Sequence, residues 1–213
     1  MQSNIHSKYK RIIKTKLNPL INILIRTHRR PELLKRAVDS IHSQTYKNWN
    51  IIASYHDEID RLQLIQLGIR DRIQVEPDKS AGECWFNLFL NNLKEQVFSG
   101  WITFMDSDNY FHSPNSLQQL SEVLTDKNEM VLTQFIRRGR IKPTDELMDA
   151  RVIRSGKFDT ACIAIHHSQK GVLHFNADDN ADYQAAFSAS EKIKTSFHKI
   201  KFIESDRRSR GQN

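Results

Sequence analysis

The sequence has few residues of the kinds that mark fibrous, disulfide-rich or membrane-spanning proteins. Its 213 residues include two cysteines, Cys84 and Cys162, which are too few for a disulfide framework or a cysteine-ligated zinc site. Seven glycines and five prolines exclude collagen-like and low-complexity chains. The longest uninterrupted apolar run is 161–165, whereas a membrane-spanning helix needs about 20 such residues. Since no apolar leader is visible at the start either, we expect a single cytoplasmic domain.

Positive charge is in excess and is unevenly distributed. Thirty-two Lys and Arg against 25 Asp and Glu give a net charge of +7. The cations concentrate in an N-terminal arm at 1–19, in a short stretch at 137–142 and in a C-terminal tail that begins near Lys192. Such clusters favour an anionic partner, for example a nucleotide, a nucleic acid or a membrane surface. Each cluster taken alone is also typical of a well-solvated surface.

Hydrophobic periodicity predicts alternating strands and helices in the first half. Short apolar strands are predicted at 22–26, 49–54, 73–76 and 101–105, with helices at about 31–41, 57–67 and 81–98. Asp57 and Gly68 fit the N-cap and the C′ position of the second helix. In the second half we expect helices at 116–125 and 179–196, and strands at 130–138, 160–165 and 199–203. The order predicts one α/β, Rossmann-like domain with a mostly parallel central sheet and helices on both faces.

Two carboxylates follow the fourth predicted strand directly. Asp106 and Asp108 stand where a parallel sheet binds its ligands, at the carboxyl ends of the strands. Oxygen-ligated Mg²⁺ or Mn²⁺ is held in this way, with coordination positions left for the phosphates of a substrate. The alternative is a turn that caps the helix after Pro114.

Three segments of the chain resemble family 2 glycosyltransferases of the GT-A fold. They are 23–34 (ILIRTHRRPELL), 40–46 (SIHSQTY) and the stretch 82–109 that ends in the Asp-x-Asp triplet, so the resemblance covers about the first 110 residues. It implies a metal-dependent inverting transfer from a nucleoside-diphosphate sugar, first of all a UDP-sugar, to an acceptor hydroxyl. Residues 20–110 would then bind the donor and 111–213 the acceptor. The implied cofactor is Mn²⁺ or Mg²⁺, and the implied donor-binding residues are Thr27, Asn87, Asp106 and Ser107.

The resemblance is weaker beyond residue 110. It implies that Asp182, at the head of a helix, is the catalytic base, with Asp179 and Asp178 as alternatives in a neighbouring register. It also implies a late histidine as a third metal ligand beside Asp106 and Asp108, and His167 is the candidate, with His166 and His198 as alternatives.

One position departs from the family pattern, and the acceptor is open. Where the family carries an Asp for the nucleobase, this chain has Tyr55, His56 and Asp57, so either Asp57 makes that contact or Tyr55 stacks on the base. The acceptor is expected to be a surface glycan or a hydroxymethylated base in DNA. Phosphates of DNA would be contacted by the basic cluster of Arg137, Arg138 and Arg140.

Two other classes of protein share part of this pattern. A haloacid-dehalogenase-type phosphatase also uses Asp-x-Asp after a strand, although usually after its first strand. A nucleic-acid-binding module without catalysis would explain the charge but not the carboxylates.

Overall fold

The computed structural model describes residues 18–27, 29–76 and 78–205. The cations of the predicted N-terminal arm and those of the C-terminal tail beyond residue 205 lie outside these ranges.

Nine strands and six α-helices alternate along the described chain. The strands are β1 (Ile21–Arg26), β2 (Trp49–Tyr55), β3 (Asp71–Gln74), β4 (Trp101–Asp106), β5 (Asn109–Phe111), β6 (Glu129–Arg137), β7 (Arg140–Lys142), β8 (Ile163–His166) and β9 (Lys194–Ser205). The helices are α1 (Pro31–His42), α2 (Glu58–Gln66), α3 (Leu88–Glu95), α4 (Ser116–Val123), α5 (Asp145–Asp149) and α6 (Ala181–Ser190). Short 3₁₀ turns cover Lys79–Ala81, Trp85–Asn87, Thr160–Cys162 and His167–Val172.

The first four long strands form a parallel sheet in the order β3-β2-β1-β4. β1 and β4 are central, and five of the six residues in each are buried. Because the strands are parallel and in register, Arg26 at the end of β1 lies beside Asp106 at the end of β4. The carboxyl ends of these strands therefore meet at one edge of the sheet, where ligands bind in such folds.

The second half extends this sheet with strands of both directions. β8 pairs antiparallel to β4, β6 antiparallel to β8, β9 parallel to β6 and β5 antiparallel to β9. The prediction of a single α/β domain with a mostly parallel sheet is confirmed. No helix in the described ranges is long and apolar enough to cross a bilayer.

Two predicted helices are shorter than their patterns indicate. The helix predicted at 81–98 is regular only over α3. Gly82 interrupts its start with a φ of 137°, and a Cβ at this position would come within 3.0 Å of the Ala177 carbonyl oxygen. The helix predicted at 179–196 ends with α6 at Ser190. From Lys194 the chain pairs with β6, and this tertiary pairing overrides the local helical pattern.

Three predicted strands have different bounds. β3 begins two residues before the predicted 73–76, the segment predicted as a strand at 160–165 starts with a 3₁₀ turn, and β9 is far longer than the predicted 199–203. The N-cap predicted for α2 is confirmed, since Asp57 Oδ1 accepts a hydrogen bond from the Asp60 backbone N–H at 2.9 Å.

Candidate functional site

A buried arginine, Arg26, lies at the carboxyl ends of β1 and β4. It contacts Asp106 and Asn87, and we call these three residues together with Asp108 the strand-end cluster. The Arg26 guanidinium donates from Nε and Nη2 to the two carboxylate oxygens of Asp106, the second at 2.8 Å, and from Nη1 to Asn87 Oδ1 at 2.5 Å. It also lies 5.1 Å from the centre of the Phe86 ring. Arg26 is 13% exposed and Asp106 is 24% exposed, so this bidentate ion pair is largely withdrawn from water.

The charges around Arg26 come from three separate segments. Burial by itself lowers the pKa of Arg26, but the ion pair with Asp106 and the fields of Asp182 and Asp159 raise it above its ordinary value. Arg26 is therefore a fixed cation, and the negative charges of Asp106, Asp182 and Asp159 all act on it.

Asp108 is the second carboxylate of the Asp-x-Asp turn and has its own cationic neighbours. Its side chain is 9% exposed, and Oδ2 lies 3.3 Å from Arg30 Nη1. Arg36 donates to the Asp108 backbone carbonyl at 3.0 Å while its guanidinium stacks 4.4 Å from the centre of the Tyr110 ring. The backbone of the turn is thus fixed from α1, and the carboxylate of Asp108 is largely buried beside Arg30.

The donor set of this turn fits a hard divalent cation. Asp106 and Asp108 offer carboxylate oxygens, the ligands that Mg²⁺ and Mn²⁺ prefer alongside substrate phosphates and water. The two carboxylates are not equivalent, because both oxygens of Asp106 already accept hydrogen bonds from Arg26. Asp108 in turn contacts Arg30, so each carboxylate of the turn has an arginine beside it.

His167 does not belong to this turn. Its backbone N–H donates to the Gly100 carbonyl at 2.9 Å, and the preceding His166 pairs with Trp101 at the start of β4. The length of β4 separates that end from Asp106 by about 17 Å. This placement excludes His167 and His166 as the third ligand predicted from the sequence. His198, the other alternative, hydrogen-bonds Ser196 Oγ at 3.1 Å within β9.

The segment before α6 packs on the segment before α3. Asn87 Nδ2 donates to the Asp178 carbonyl at 2.9 Å, and Cys84 Sγ lies 3.0 Å from Asp179 Oδ1. Asp182 lies one turn further on, in the first turn of α6, where the helix dipole favours a carboxylate. The same packing connects Asn87 to both Arg26 and α6, so it fixes where Asp182 stands relative to Asp106.

The predicted nucleoside-binding residues lie around the ends of β1 and β2. Thr27 is buried, and its hydroxyl donates to the Ser54 carbonyl at 2.8 Å. Tyr55 ends β2 and is half-buried. Asp57 is engaged on both oxygens, by the cap of α2 and by Arg29 Nε at 2.7 Å. Its bonds therefore favour the capping role over a contact with a base.

A cluster that the sequence analysis did not single out holds the loop after β1. The ligand atoms of His56, Asp57 and Asp60 all lie within 4.8 Å of one another. Asp60 is fully buried, and its Oδ1 accepts a hydrogen bond from the Arg29 backbone N–H at 3.0 Å. Together with the Arg29–Asp57 ion pair, this ties the loop to the first turn of α2. The loop in turn presents Arg30 to Asp108.

The basic cluster predicted at 137–142 forms a hairpin, which we call the basic hairpin and define by Arg137, Arg138, Arg140 and Lys142. These four side chains line an open cavity of about 490 Å³. Arg137 pairs with Arg140 across the hairpin, and Arg138 and Gly139 form the two-residue turn. The remaining predicted donor residue, Ser107, is buried between Asp106 and Asp108.

Sequence reasoning missed the arginines that pair with the carboxylates of the Asp-x-Asp turn. The signal was present, because Arg26, Arg29 and Arg30 follow the predicted first strand in a chain whose Asp-x-Asp turn needs counter-charges. Nothing in the local pattern, however, indicates which arginine pairs with which carboxylate.

The sequence matches a known family over most of its length. The sequence model of the family described as "Glycosyl transferase family 2" matches residues 22–191. An uncharacterized glycosyltransferase of Rickettsia typhi, RT0329, is 28% identical over 109 residues, which cover 50% of this chain and 32% of that protein.

Two solved structures share the fold. Residues 1–349 of Staphylococcus aureus TarS, in complex with UDP-GlcNAc, superpose with a TM-score of 0.64 at 10% identity, over 90% of this chain and 59% of that one. The mannosyltransferase PcManGT of Pyrobaculum calidifontis, in complex with GDP-Man and Mn²⁺, gives 0.61 at 14% identity, over 86% and 56%. This chain thus spans a third to three fifths of the length of these proteins.

Proposed function

Since the chain belongs to glycosyl transferase family 2, we propose that it moves a sugar from a nucleoside-diphosphate sugar to an acceptor hydroxyl with inversion at the anomeric carbon. The observation that carries this proposal is the meeting of three segments at one strand end. Arg26 joins Asp106 of the Asp-x-Asp turn to Asn87, and it lies in the field of Asp182.

The donor diphosphate fits the mixed charges of the strand end. Arg30 beside Asp108 offers a cation for the phosphates, and Arg26 offsets the charge of Asp106 when a second anion arrives. Asp108, with Asp106, would hold the divalent ion, which supplies charge neutralisation on the departing diphosphate. The same logic makes these arginines part of the electrostatic stabilisation that a leaving group requires.

Asp182 is the proposed general base. Its carboxylate would take the proton of the acceptor hydroxyl while that oxygen forms its bond to the anomeric carbon and the bond to the diphosphate breaks. Asp179 and Asp178 are the alternatives, and the Oδ1 of Asp179 lies 3.0 Å from Cys84 Sγ.

The nucleoside would lie over the ends of β1 and β2, with residues 20–110 as the donor half. Tyr55 is the proposed base contact, because Asp57 is committed to Arg29 and to the cap of α2. Thr27 and Asn87 would shape the pocket from below. A UDP-sugar is the first choice of donor, and the TarS complex with UDP-GlcNAc supports it at the level of the shared fold.

The phosphatase alternative fits the geometry less well. A nucleophilic aspartate needs an accessible oxygen, whereas both oxygens of Asp106 accept hydrogen bonds from Arg26. A surface glycan and a hydroxymethylated base in DNA are both acceptors with a hydroxyl that Asp182 could deprotonate.

Calorimetric titration with UDP and GDP, each with and without Mn²⁺, tests the proposal. We expect one nucleotide to bind, with an affinity that rises when Mn²⁺ is present and falls again in Asp108→Asn. Lys35→Gln is the matched control, because its salt bridge to Asp39 is exposed on α1. A protein that binds neither nucleotide under any of these conditions is not a transferase of this kind.

A further inference from the structure

Three side chains at the start of α2 form a compact set of potential metal ligands, which we call the His–Asp group. His56 follows the last residue of β2, Asp57 caps α2, and Asp60 lies in the first turn of that helix. His56 Nδ1 is 3.4 Å from Asp60 Oδ2, and His56 Nε2 is 3.6 Å from Asp57 Oδ2. The imidazole ring therefore stands between two carboxylates that belong to the same helix.

Asp60 is the buried member of the His–Asp group, and it points into the group. Its side chain is 0% exposed. Oδ1 accepts a hydrogen bond from the Arg29 backbone N–H at 3.0 Å. Among the residues that the structure describes, Oδ2 has no hydrogen-bond donor, and this oxygen faces the ring of His56. A carboxylate oxygen that is withdrawn from water without a donor destabilises the fold, and a bound cation would offset that cost.

The distances within the His–Asp group suit a tetrahedral ion. Two ligands of such an ion, each bonded at about 2.0–2.1 Å, lie about 3.3 Å apart. The separation of 3.4 Å between His56 Nδ1 and Asp60 Oδ2 is close to this value, whereas an N–H···O hydrogen bond is usually about 2.7–3.2 Å long. The ligand atoms of all three residues lie within 4.8 Å of one another. Three protein ligands leave a fourth position for water.

The imidazole nitrogen decides which ions fit. One nitrogen and two carboxylate ligands suit Zn²⁺ and its first-row neighbours, whereas Mg²⁺ and Ca²⁺ prefer oxygen ligands throughout. The His–Asp group is also separate from the Asp-x-Asp turn. Arg26 pairs with Ser54 of β2 on one side and with Asp106 of β4 on the other, so two strand spacings, about 10 Å, separate these strand ends. One ion does not bridge both places.

Aromatic rings hold the imidazole of His56 in place. Its ring centre lies 6.4 Å from that of Trp85 and 6.4 Å from that of Phe89. Trp85 and Phe89 also contact each other edge to face, with ring centres 5.4 Å apart. An apolar wall of this kind restricts the access of water and limits the orientations of a ligating histidine.

Arg29 is the cation that an ion would displace. Its Nε donates to Asp57 Oδ2 at 2.7 Å, but the side chain is 62% exposed, and an exposed ion pair of this kind contributes little stability. The guanidinium can therefore turn towards water while the Arg29 backbone N–H stays bonded to Asp60. The entry of an ion exchanges one positive charge at Asp57 for another.

We propose that His56, Asp57 and Asp60 bind one Zn²⁺ or a similar first-row transition ion, at a second metal site distinct from the Asp-x-Asp turn. The ion would tie the end of β2 to the first turn of α2, and through Asp60 to the loop after β1. This proposal does not depend on the proposed function, because the ligands lie outside the Asp-x-Asp turn.

The test is calorimetric titration of the protein with Zn²⁺ in the absence of nucleotide, repeated with Mg²⁺. His56→Gln removes the ring nitrogens, and Asp60→Asn removes the buried charge while it keeps an oxygen for the Arg29 N–H. His174→Gln is the matched control, because His174 is an exposed histidine outside the His–Asp group. Asp108→Asn tests whether Zn²⁺ binds instead at the Asp-x-Asp turn.

We expect one Zn²⁺ to bind the native protein at micromolar concentration, and millimolar Mg²⁺ not to compete with it. His56→Gln and Asp60→Asn should each weaken binding at least about 10-fold, since even the loss of a residue behind a ligand has an effect of this size. His174→Gln and Asp108→Asn should leave it unchanged. Proton–nitrogen NMR of the native protein should show the imidazole signals of His56 shifting as Zn²⁺ is added, so the test stands even where a variant fails to fold.

Four results overturn the proposal. They are the absence of Zn²⁺ binding at micromolar concentration, unchanged binding in either His56→Gln or Asp60→Asn, loss of binding in Asp108→Asn, and imidazole signals of His56 that do not respond to Zn²⁺. None of them bears on sugar transfer, which the titrations with UDP, GDP and Mn²⁺ test separately.

Discussion

Replacement of Arg26 by methionine tests whether the strand-end cluster depends on a built-in cation. The variant keeps most of the side-chain volume but leaves Asp106 without either of its two hydrogen bonds and Asn87 without one. Removal of one partner of a buried ion pair costs about 3–5 kcal/mol. Because Asp106 is 24% exposed, water recovers part of this, and we expect a loss of about 2–3 kcal/mol.

The assay is thermal unfolding at neutral pH. For a domain of this size the loss corresponds to a fall in Tm of about 4–12 °C. Adding Asp106→Asn to Arg26→Met should restore much of the loss, because no uncompensated charge is then left, while Asp106→Asn alone should destabilise. Arg26→Lys keeps the charge without the two-pronged geometry and should fall between the native protein and Arg26→Met. The reasoning is refuted if the double variant loses as much free energy of unfolding as the two single variants lose together.

Three further outcomes follow from the structure. Asp108→Asn should reduce sugar transfer by about 10²–10³-fold, measured as nucleotide release with acceptor present, and should move the Tm little because Arg30 is half exposed. Asp182→Asn should leave the Kd for UDP unchanged and lower kcat by about 10²–10⁴-fold; unchanged turnover would place the base elsewhere. Burial, with smaller effects of His167 and Lys127, lowers the pKa of His166 to about 4, so the unfolded chain takes up a proton first as pH falls. The free energy of unfolding, measured in urea titrations, should be highest above pH 6.5 and fall by about 2–3 kcal/mol towards pH 4. His166→Gln should flatten that decline.

The parallel half of the fold could be predicted from sequence because its signals are local. β1, β2 and β4 each contain a short apolar run, and Asp57 and Gly68 mark the two ends of α2 as predicted. The second half is governed by pairing between distant segments. β9 joins β6 over most of its length, and this non-local contact turns residues 194–196 from the predicted helix into a strand.

The sequence predicts which types of residue lie at the site, but it does not predict which side chains contact one another there. Asp106 and Asp108 follow a buried strand in any register, so the turn could be identified from the sequence. His167 was misplaced because the direction of β8 relative to β4 is invisible in a single sequence; the antiparallel pairing carries it to the far end of the sheet. The pairing of Arg26 with Asp106 likewise depends on the register of two strands 80 residues apart.

The buried carboxylate of Asp60 makes a contact outside its own helix. It anchors the backbone of Arg29, and the adjacent Arg30 contacts Asp108, so the region proposed for the nucleobase and the turn proposed for the phosphates are joined by direct contacts. We therefore expect a substitution at Asp60, in the first turn of α2, to alter the affinity for the donor. Asp60 is therefore a position to vary in laboratory evolution of a new nucleotide preference, although it lies outside the proposed donor contacts.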